Sequence, residues 1–414
     1  MNKSSHDLDR EPVIVVGGGP AGVYAALELR KLGFQGIVTL ISEESRNPYE
    51  RPRLSKYVGP DALIDISSKQ EFDEQQINLM LSERVASIDR EQGRVLLSSG
   101  RVMPYSKLLI ATGAEARKVR FPGYSGKDIL YLRDHEDAKK IEGVIEGGGS
   151  IALIGGGFIG LELASLARKH GVEVTIVESA NGILARGVPP SVAAIAHREH
   201  ILRGVKIKTG VTITNIERSD RFIISLSNGT ELTVDAVIAG VGSAPRVSIA
   251  QECGLEVDNG ICVDARLRTS DEAIFAAGDC CSIRSSLPGV PNRRFESWRI
   301  AQEQGVLAAR NILGETPAYD VLPWFWSDQF DFTIQVVGVH TGKGMLVERP
   351  ISDLATMYIE LDHASRMVAA SAIGPISKIG KEMRLAEKLI RAGLAVEREE
   401  IANPSVRMMD MLRR

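Results

Sequence analysis

The sequence runs to 414 residues, enough for two or three domains and for a core that needs neither disulfide nor metal to hold it. Its 50 basic and 53 acidic residues leave a net charge of −3, which excludes a strongly basic nucleic-acid binder. A content of 44% hydrophobic and 25% charged residues is that of an ordinary globular protein and excludes a disordered chain.

Cys253, Cys262, Cys280 and Cys281 form no CxxC pair, and the 7 His are scattered, so neither a disulfide scaffold nor a metal site is expected. The vicinal Cys280 and Cys281 read as packing residues. The opening MNKSSHDLDREP lacks the apolar core of a signal peptide. The stretch from Ser150 to Ala167 is apolar enough to consider as a membrane span, but Gly155, Gly156, Gly157 and Glu162 break it into strand, turn and helix. The expectation is a protein of the reducing cytoplasm.

In chain order, Val13–Val16 is a short apolar run that leads into Gly17-Gly18-Gly19-Pro20-Ala21-Gly22. A helical stretch follows from Val23 to Leu32 with Gly33 as its stop, then a second apolar run, Ile37–Ile41, before Ser42-Glu43-Glu44. Arg84 to Leu97 alternates like paired strands around Glu91-Gln92-Gly93, and a return strand, Leu108–Ala111, ends in Thr112-Gly113. The grammar then repeats. Ile151–Ile154 leads into Gly155-Gly156-Gly157-Phe158-Ile159-Gly160, with a helical stretch from Leu161 to His170 and a run Val174–Val177 ending in Glu178. Val211–Glu217 and Phe222–Leu226 alternate around Asn228-Gly229, and Ala236–Ala239 returns into Gly240-Val241-Gly242. A whole domain is duplicated. The fold class this predicts is α/β, with two doubly wound dinucleotide-binding domains. From about Leu322 the chain changes character: Trp324-Phe325-Trp326, strand-like Thr333–Val337 and Ala355–Leu361, and a helical stretch Lys381–Ala392 predict a small α+β domain.

A lone GxGxxG is weak evidence. Here each one follows a strand, opens a helix and precedes a second strand that ends in an acid. In the first, Gly17 makes the tight turn, Gly19 lets the backbone approach a pyrophosphate and Gly22 allows close helix packing. Gly155, Gly157 and Gly160 do the same in the second. The pyrophosphate is expected at the helix N-terminus, where N–H groups and the dipole favour negative charge. Glu43 and Glu178 stand where a carboxylate accepts hydrogen bonds from ribose hydroxyls. After Glu178 come Ser179-Ala180-Asn181, with no cation for a 2′-phosphate, which favours NADH over NADPH.

Thr269–Asp279, reading TSDEAIFAAGD, resembles the second FAD signature of the two-dinucleotide flavoprotein reductases, and implies that Gly278 and Asp279 hold FAD on the first unit. Tyr49-Glu50-Arg51-Pro52-Arg53-Leu54-Ser55-Lys56, Glu296-Ser297-Trp298 and Pro323-Trp324-Phe325-Trp326-Ser327-Asp328-Gln329 narrow the likeness. Together they resemble the FAD-dependent, NADH-linked ferredoxin reductases of oxygenase systems, which include the putidaredoxin, rubredoxin and dioxygenase-ferredoxin reductases. The resemblance runs from about Val13 to Ile390. It departs at Arg53, where the family more often has a second Pro, and over Gly374–Lys381, which matches poorly. It implies a discontinuous FAD domain over 1–118 and 245–321, an NADH domain over 119–244 and a C-terminal α+β domain over 322–414.

Residue by residue, the resemblance implies FAD contacts from Gly17, Gly19, Pro20, Ala21, Gly22, Glu43, Arg51, Lys56, Val85, Ala111, Thr112, Gly113, Arg133, Gly278, Asp279, Glu296, Ser297, Trp298 and Trp326. It implies NADH contacts from Gly155, Gly157, Phe158, Ile159, Gly160, Glu162, Glu178, Arg186 and Gly242. Lys56, paired with Glu162, is expected beside the reactive nitrogen of the flavin, and a buried lysine requires such a partner. Trp326 is expected at the flavin edge.

NADH gives up two electrons together and a [2Fe–2S] ferredoxin accepts one at a time; a flavin can take two and release them singly, which is the chemical reason for a cofactor between them. Disulfide reductases of this fold carry a CxxxxC pair beside the flavin. Asn47–Lys56 contains no Cys, so electrons are expected to leave the flavin directly. The partner is expected to be an acidic ferredoxin, or a rubredoxin. Arg293, Arg294, Arg299 and Arg310 offer a positive patch for it, though scattered arginines are more often a solvated face. The rival readings are an NADH oxidase or peroxidase and a flavin-dependent redox sensor. Monomer and homodimer are both open.

Overall fold

The computed structural model describes residues 11–121, 124–284, 292–320 and 322–413. The polar leader over residues 1–10 and the boundary residue Val321 lie outside them. By packing, the described residues fall into two units. The first is drawn from within 1–50, 63–115 and 243–321, the second from within 51–62, 116–242 and 322–414.

The first unit is built on a five-stranded sheet whose paired strands are all parallel. Strand β1 (Val13–Val16) lies at its middle, and helix α1 (Pro20–Lys31) follows the glycine turn. β2 (Val38–Ile41) flanks β1 on one side, with Ile77–Met80 beyond it; Lys107–Ile110 and then Ile274–Ala276 lie on the other. Every residue of β1 and β2 is buried, which is why both runs are apolar without alternation: parallel strands are covered on both faces. The strand order reverses between β1 and Lys107–Ile110, the switch point at which such sheets open a crevice for a ligand. Ile274–Ala276 joins the sheet from a stretch more than 160 residues downstream of Lys107–Ile110, so this unit is discontinuous in sequence.

The second unit repeats the plan. β3 (Ser150–Ile154) and β4 (Glu173–Glu178) pair in parallel, with helix α2 (Phe158–Lys169) between them in sequence. Lys206–Thr209 and Ala236–Ala239 complete a four-stranded parallel sheet. Each unit also carries a small antiparallel sheet where alternation predicts one, at Val85–Asp89 with Arg94–Leu97 and at Ile213–Arg218 with Phe222–Leu226.

The C-terminal part of the second unit is a five-stranded antiparallel sheet that begins with β5 (Trp324–Gln329). Helix α3 (Ile376–Ala392) covers it, starting five residues before the expected Lys381. Pro375 sets its start, and Ile379, Met383, Ala386 and Leu389 form a buried stripe at helical spacing. Ile379, Met383 and Leu389 each contribute ~1.5–3 kcal/mol, enough to override Gly380. The buried guanidinium of Arg349 ties the C-terminal residues down by donating to the carbonyls of Ile401, Asn403 and Val406 at 2.7–2.9 Å.

Candidate active site

In the first unit the glycine turn has the geometry that a pyrophosphate needs. Gly17 has φ +121°, and a Cβ there would meet the Ala111 carbonyl oxygen at 2.1 Å. A Cβ on Gly22 would meet the Gly17 oxygen at 2.0 Å, so strand and helix approach here as closely as backbones can. Gly19 differs: a Cβ would touch nothing within 4 Å. It is the N-cap of α1 and no side chain caps that helix, whose first turn contains Pro20 and Ala21. The orphan N–H groups and the open face at Gly19 therefore fit an anionic ligand.

Distant stretches converge on this turn. Gly278 has φ +80°, and its N–H donates to Gln304 Oε1 at 2.7 Å. A Cβ on Gly278 would lie 3.1 Å from that of Ala21, which sets the Gly278-Asp279 turn against the start of α1. Helix Trp298–Ile312 packs there too, because Gly305 lets it approach: a Cβ would meet the Ala21 oxygen at 2.2 Å. Ser297 is the N-cap of this helix and accepts from the Ile300 N–H at 3.3 Å, so Trp298 is the first helical residue and Glu296 lies outside it. Gln304 and Gly305 carry no signal in a single sequence; an apolar-to-polar helix face hides both.

Glu43 sits just past β2, exposed, and pairs with Arg246 at 3.0 Å; Arg246 is itself fixed by Thr112 Oγ1, which donates to its carbonyl at 2.7 Å, and by its own N–H donating to Gly113 at 2.9 Å. Val85 is buried at the start of a strand in the separate antiparallel sheet.

The second turn matches the first. Gly155 has φ +103°, its Cβ position lies 2.5 Å from the Gly240 oxygen, that of Gly160 lies 2.3 Å from the Gly155 oxygen, and Gly157 faces open space. Phe158 begins α2, again without a side-chain cap, and Ile159 is 48% exposed beside the open N-terminus. Glu178 ends β4 and holds the loop together: its carboxylate accepts from the N–H groups of Gly156 and Ala180, each at 2.7 Å. Arg186 is exposed in the loop that follows, and Gly242 has φ +102° just beyond Ala236–Ala239. Glu178→Ala is expected to weaken NADH use more than NADPH use. Steady-state kinetics with both nucleotides checks this, and an unchanged ratio removes Glu178 from nucleotide selection.

Lys56 and Glu162 meet as expected. Lys56 Nζ lies 2.9 Å from Glu162 Oε2, with the two side chains 9% and 5% exposed. Lys56 also donates to the Pro52 carbonyl at 2.9 Å. Glu162 stands on α2 five residues beyond Gly157, so one helix carries both the uncapped N-terminus and the carboxylate. Two further donors reach it: the Ser55 hydroxyl at Oε2 and the Ser327 hydroxyl at Oε1, the latter at 2.6 Å. Arg51 donates to the Arg133 carbonyl at 3.1 Å. Arg53, the departure from the family pattern, stacks its guanidinium over Tyr57 at 4.3 Å. Trp326 is half-buried on β5 and donates from Nε1 to Asp328 at 3.1 Å.

The positive patch does not form as offered. Arg294 pairs with Glu296, Arg299 with Glu303 and Arg310 with Glu28, so three of the four arginines are neutralised by neighbours in their own unit. The four cysteines are unpaired with one another; Cys280 and Cys281 are wholly buried, and burial pushes both thiols up. They are packing residues. One constellation escaped sequence reading: His340 Nε2 lies 2.7 Å from Ser371 Oγ and Nδ1 lies 3.2 Å from Glu360. Ser371 is fully buried within the sheet, so no substrate reaches this triad-like set.

A parallel sheet with a glycine turn at its switch point, given twice, defines a two-dinucleotide oxidoreductase. Residues 11–305 match the family described as pyridine nucleotide-disulphide oxidoreductase, and 324–412 match the reductase C-terminal family. The chain is 37% identical to the anthranilate 1,2-dioxygenase system ferredoxin–NAD(+) reductase component of Burkholderia cepacia, over 98% of this chain and 100% of that one. Among solved structures it resembles the ferredoxin reductase for the CYP199A2 system from Rhodopseudomonas palustris, with a TM-score of 0.91, 34% identity, and 97% and 100% of the two chains covered. It also resembles the covalent putidaredoxin reductase–putidaredoxin complex, with a TM-score of 0.90, 31% identity, and 97% and 98% covered. The chain belongs to the pyridine nucleotide-disulphide oxidoreductases and, within them, to the ferredoxin reductases of oxygenase systems. Among the described residues, no helix is long and apolar enough to cross a membrane.

Proposed function

We propose that this protein takes a hydride from NADH onto FAD and passes electrons singly to a [2Fe–2S] ferredoxin, or a rubredoxin, that supplies an oxygenase. The observation that carries the reading is the pair of matched glycine turns in a chain whose Asn47–Lys56 segment has no cysteine and supplies Lys56 to a buried pair with Glu162. When bound, FAD supplies the exchange between a two-electron donor and a one-electron acceptor.

The residues present divide the remaining work. The turn Gly17–Gly22 holds the FAD pyrophosphate on the N-terminus of α1, with Thr112, Gly113, Gly278 and Asp279 closing the crevice, and Glu43 serves the ribose. The turn Gly155–Gly160 holds NADH in the same way, with Glu178 serving its ribose and fixing the turn. Lys56 supplies fixed positive charge for the reduced flavin, and Glu162 keeps that ammonium in place inside the protein. The helix that Ser297 caps adds the partial positive charge of its N-terminus. Trp326, held by Asp328, lines the exit for electrons. Residues 1–118 and 245–321 act as the FAD domain, 119–244 as the NADH domain and 322–414 as the C-terminal domain. The free thiols and the use of NADH support a cytoplasmic location.

The oxidase, peroxidase and sensor readings are separated from this one by choice of acceptor. Turnover of NADH should be fast with a [2Fe–2S] ferredoxin and slow with oxygen or peroxide. Equal or faster turnover with oxygen or peroxide would replace the ferredoxin reading with an oxidase, and no turnover with any acceptor would favour the sensor.

A further inference from the structure

The string Trp324–Gln329 serves two faces at once. Strand side chains alternate, so Phe325, Ser327 and Gln329 share one face and Trp324, Trp326 and Asp328 the other. The first face meets α2: Phe325 packs edge-on to Phe158 at 4.8 Å between ring centres, and Ser327 reaches Glu162. Behind Ser327 the polar contacts continue. Gln329 Nε2 donates to Ser327 Oγ at 3.0 Å, and Gln329 Oε1 lies 2.9 Å from His200 Nε2 on the helix Pro190–Leu202. Ser327, Gln329 and His200 are 0–1% exposed.

The direction of these bonds follows from the donor inventory. Gln329 Oε1 can only accept, so His200 Nε2 carries the proton, and the other ring nitrogen has no partner. Burial pushes His200 down to about 4, against the opposing pull of Gln329, and this keeps the ring neutral at ordinary pH. With its oxygen committed to His200, Gln329 must present its NH2 to Ser327. The single hydroxyl proton of Ser327 is then left to point at Glu162 Oε1. A reversed Gln329 amide would draw that proton away from the carboxylate.

We propose that Ser327 and Gln329 are positioning residues that act on the flavin through Glu162 and Lys56: the row His200–Gln329–Ser327 pins one carboxylate oxygen of Glu162, leaving the other to Lys56 and Ser55. This rests on the reading above that Lys56 serves the flavin. Lysine and glutamate are long side chains with several rotatable bonds, and without a fixed anchor their pair samples several geometries. Ser327 is that anchor, and it gives the Ser-x-Gln within the aromatic string a role apart from Trp326.

The test uses FAD-loaded Ser327→Ala, Gln329→Leu and Lys56→Met, and each of the first two combined with Lys56→Met. Two quantities are read: the flavin midpoint potential by equilibration with a reference dye, and the rate of flavin reduction by NADH in single turnover. Lys56→Met should lower the potential and slow reduction. Ser327→Ala should move both in the same direction, with about a tenfold slower reduction, the equivalent of ~1.4 kcal/mol, and an unchanged NADH dissociation constant. Gln329→Leu, which leaves the Ser327 hydroxyl present but unaimed, should do the same to a smaller extent and provides an independent arm if Ser327→Ala folds poorly. In the Lys56→Met background neither substitution should add anything. Effects that persist in full without Lys56, or no effect of either variant where Lys56→Met has one, would overturn the positioning role. A Lys56→Met protein with wild-type potential and rate would instead overturn the role of Lys56, and with it the proposal.

Discussion

Gly19→Val is expected to give a protein that folds and is colourless. A side chain at Gly19 meets no protein atom within 4 Å, and this N-cap position has φ −80°, which any residue adopts. Nothing in the apo fold resists the substitution. The added methyls would occupy the place where the backbone should touch the pyrophosphate, so FAD affinity should fall about a hundredfold, ~2.7 kcal/mol, with the apo thermal midpoint unchanged. Gly17→Val is the contrasting case. Its positive φ and the 2.1 Å approach to the Ala111 oxygen mean that the strand–helix turn itself must break. That variant should lose stability and FAD together. Visible absorbance after purification and thermal melts of the apo proteins separate the two. A yellow Gly19→Val protein with wild-type affinity would remove the first turn from FAD binding.

Glu162→Ala should be among the most destabilising single changes in the second unit. It strips the acceptor from Lys56, Ser55 and Ser327 at once and leaves a lysine with a 9% exposed side chain inside the protein, its remaining partner being the Pro52 carbonyl. Removing one partner of a buried ion pair costs about 3–5 kcal/mol, which corresponds to a fall of roughly 10 °C in thermal midpoint for a unit of this size. Lys56→Met should cost much less, because a methionine packs where the lysine stem did and the carboxylate keeps two hydroxyl donors. Melting curves of both variants check this order. A Glu162→Ala midpoint equal to wild type would show that the pair is solvated.

Much of the architecture is legible in the sequence because its signals are local. Val13–Val16 with Gly17–Gly22, and Ile151–Ile154 with Gly155–Gly160, state strand, turn and helix within a dozen residues each, and the strands fall within a residue or two of expectation. Both helices begin three residues early, at Pro20 and Phe158, because the glycine turn itself supplies their first turn. The C-terminal sheet was harder to read. Met367–Gly374 is small and Ala-rich, which suggests a helix, but it lies between Phe332–Gly338 and Ala355–Leu361 with nearly every residue buried, and the sheet decides its conformation. Met345–Ser352 pairs with only one neighbour and contains Pro350, an edge-strand pattern that reads as loop.

The site divides in the same way. The glycines and the Lys56–Glu162 pair were readable from motif and resemblance. Gln304, Gly305 and the Ser327–Gln329–His200 row were not, since each matters through a partner 26 to 284 residues away: Gly278, Ala21, Glu162 and, for Gln329, His200. The arginine patch fails because most of its charges are already paired. Counting arginines alone overlooks their acidic partners, two of them local, Glu296 and Glu303, and one, Glu28, brought to Arg310 from 282 residues away.

The central claim is that electrons cross this protein on flavin alone. Its most direct measurement is an anaerobic titration of the FAD-loaded protein, with and without prior alkylation of accessible thiols, in which limiting NADH is added in the presence of excess oxidised [2Fe–2S] ferredoxin. The account predicts two ferredoxins reduced per NADH, the same count after alkylation, and no new thiols at any stage. Loss of transfer on alkylation, or thiols that appear on reduction by NADH, would contradict it.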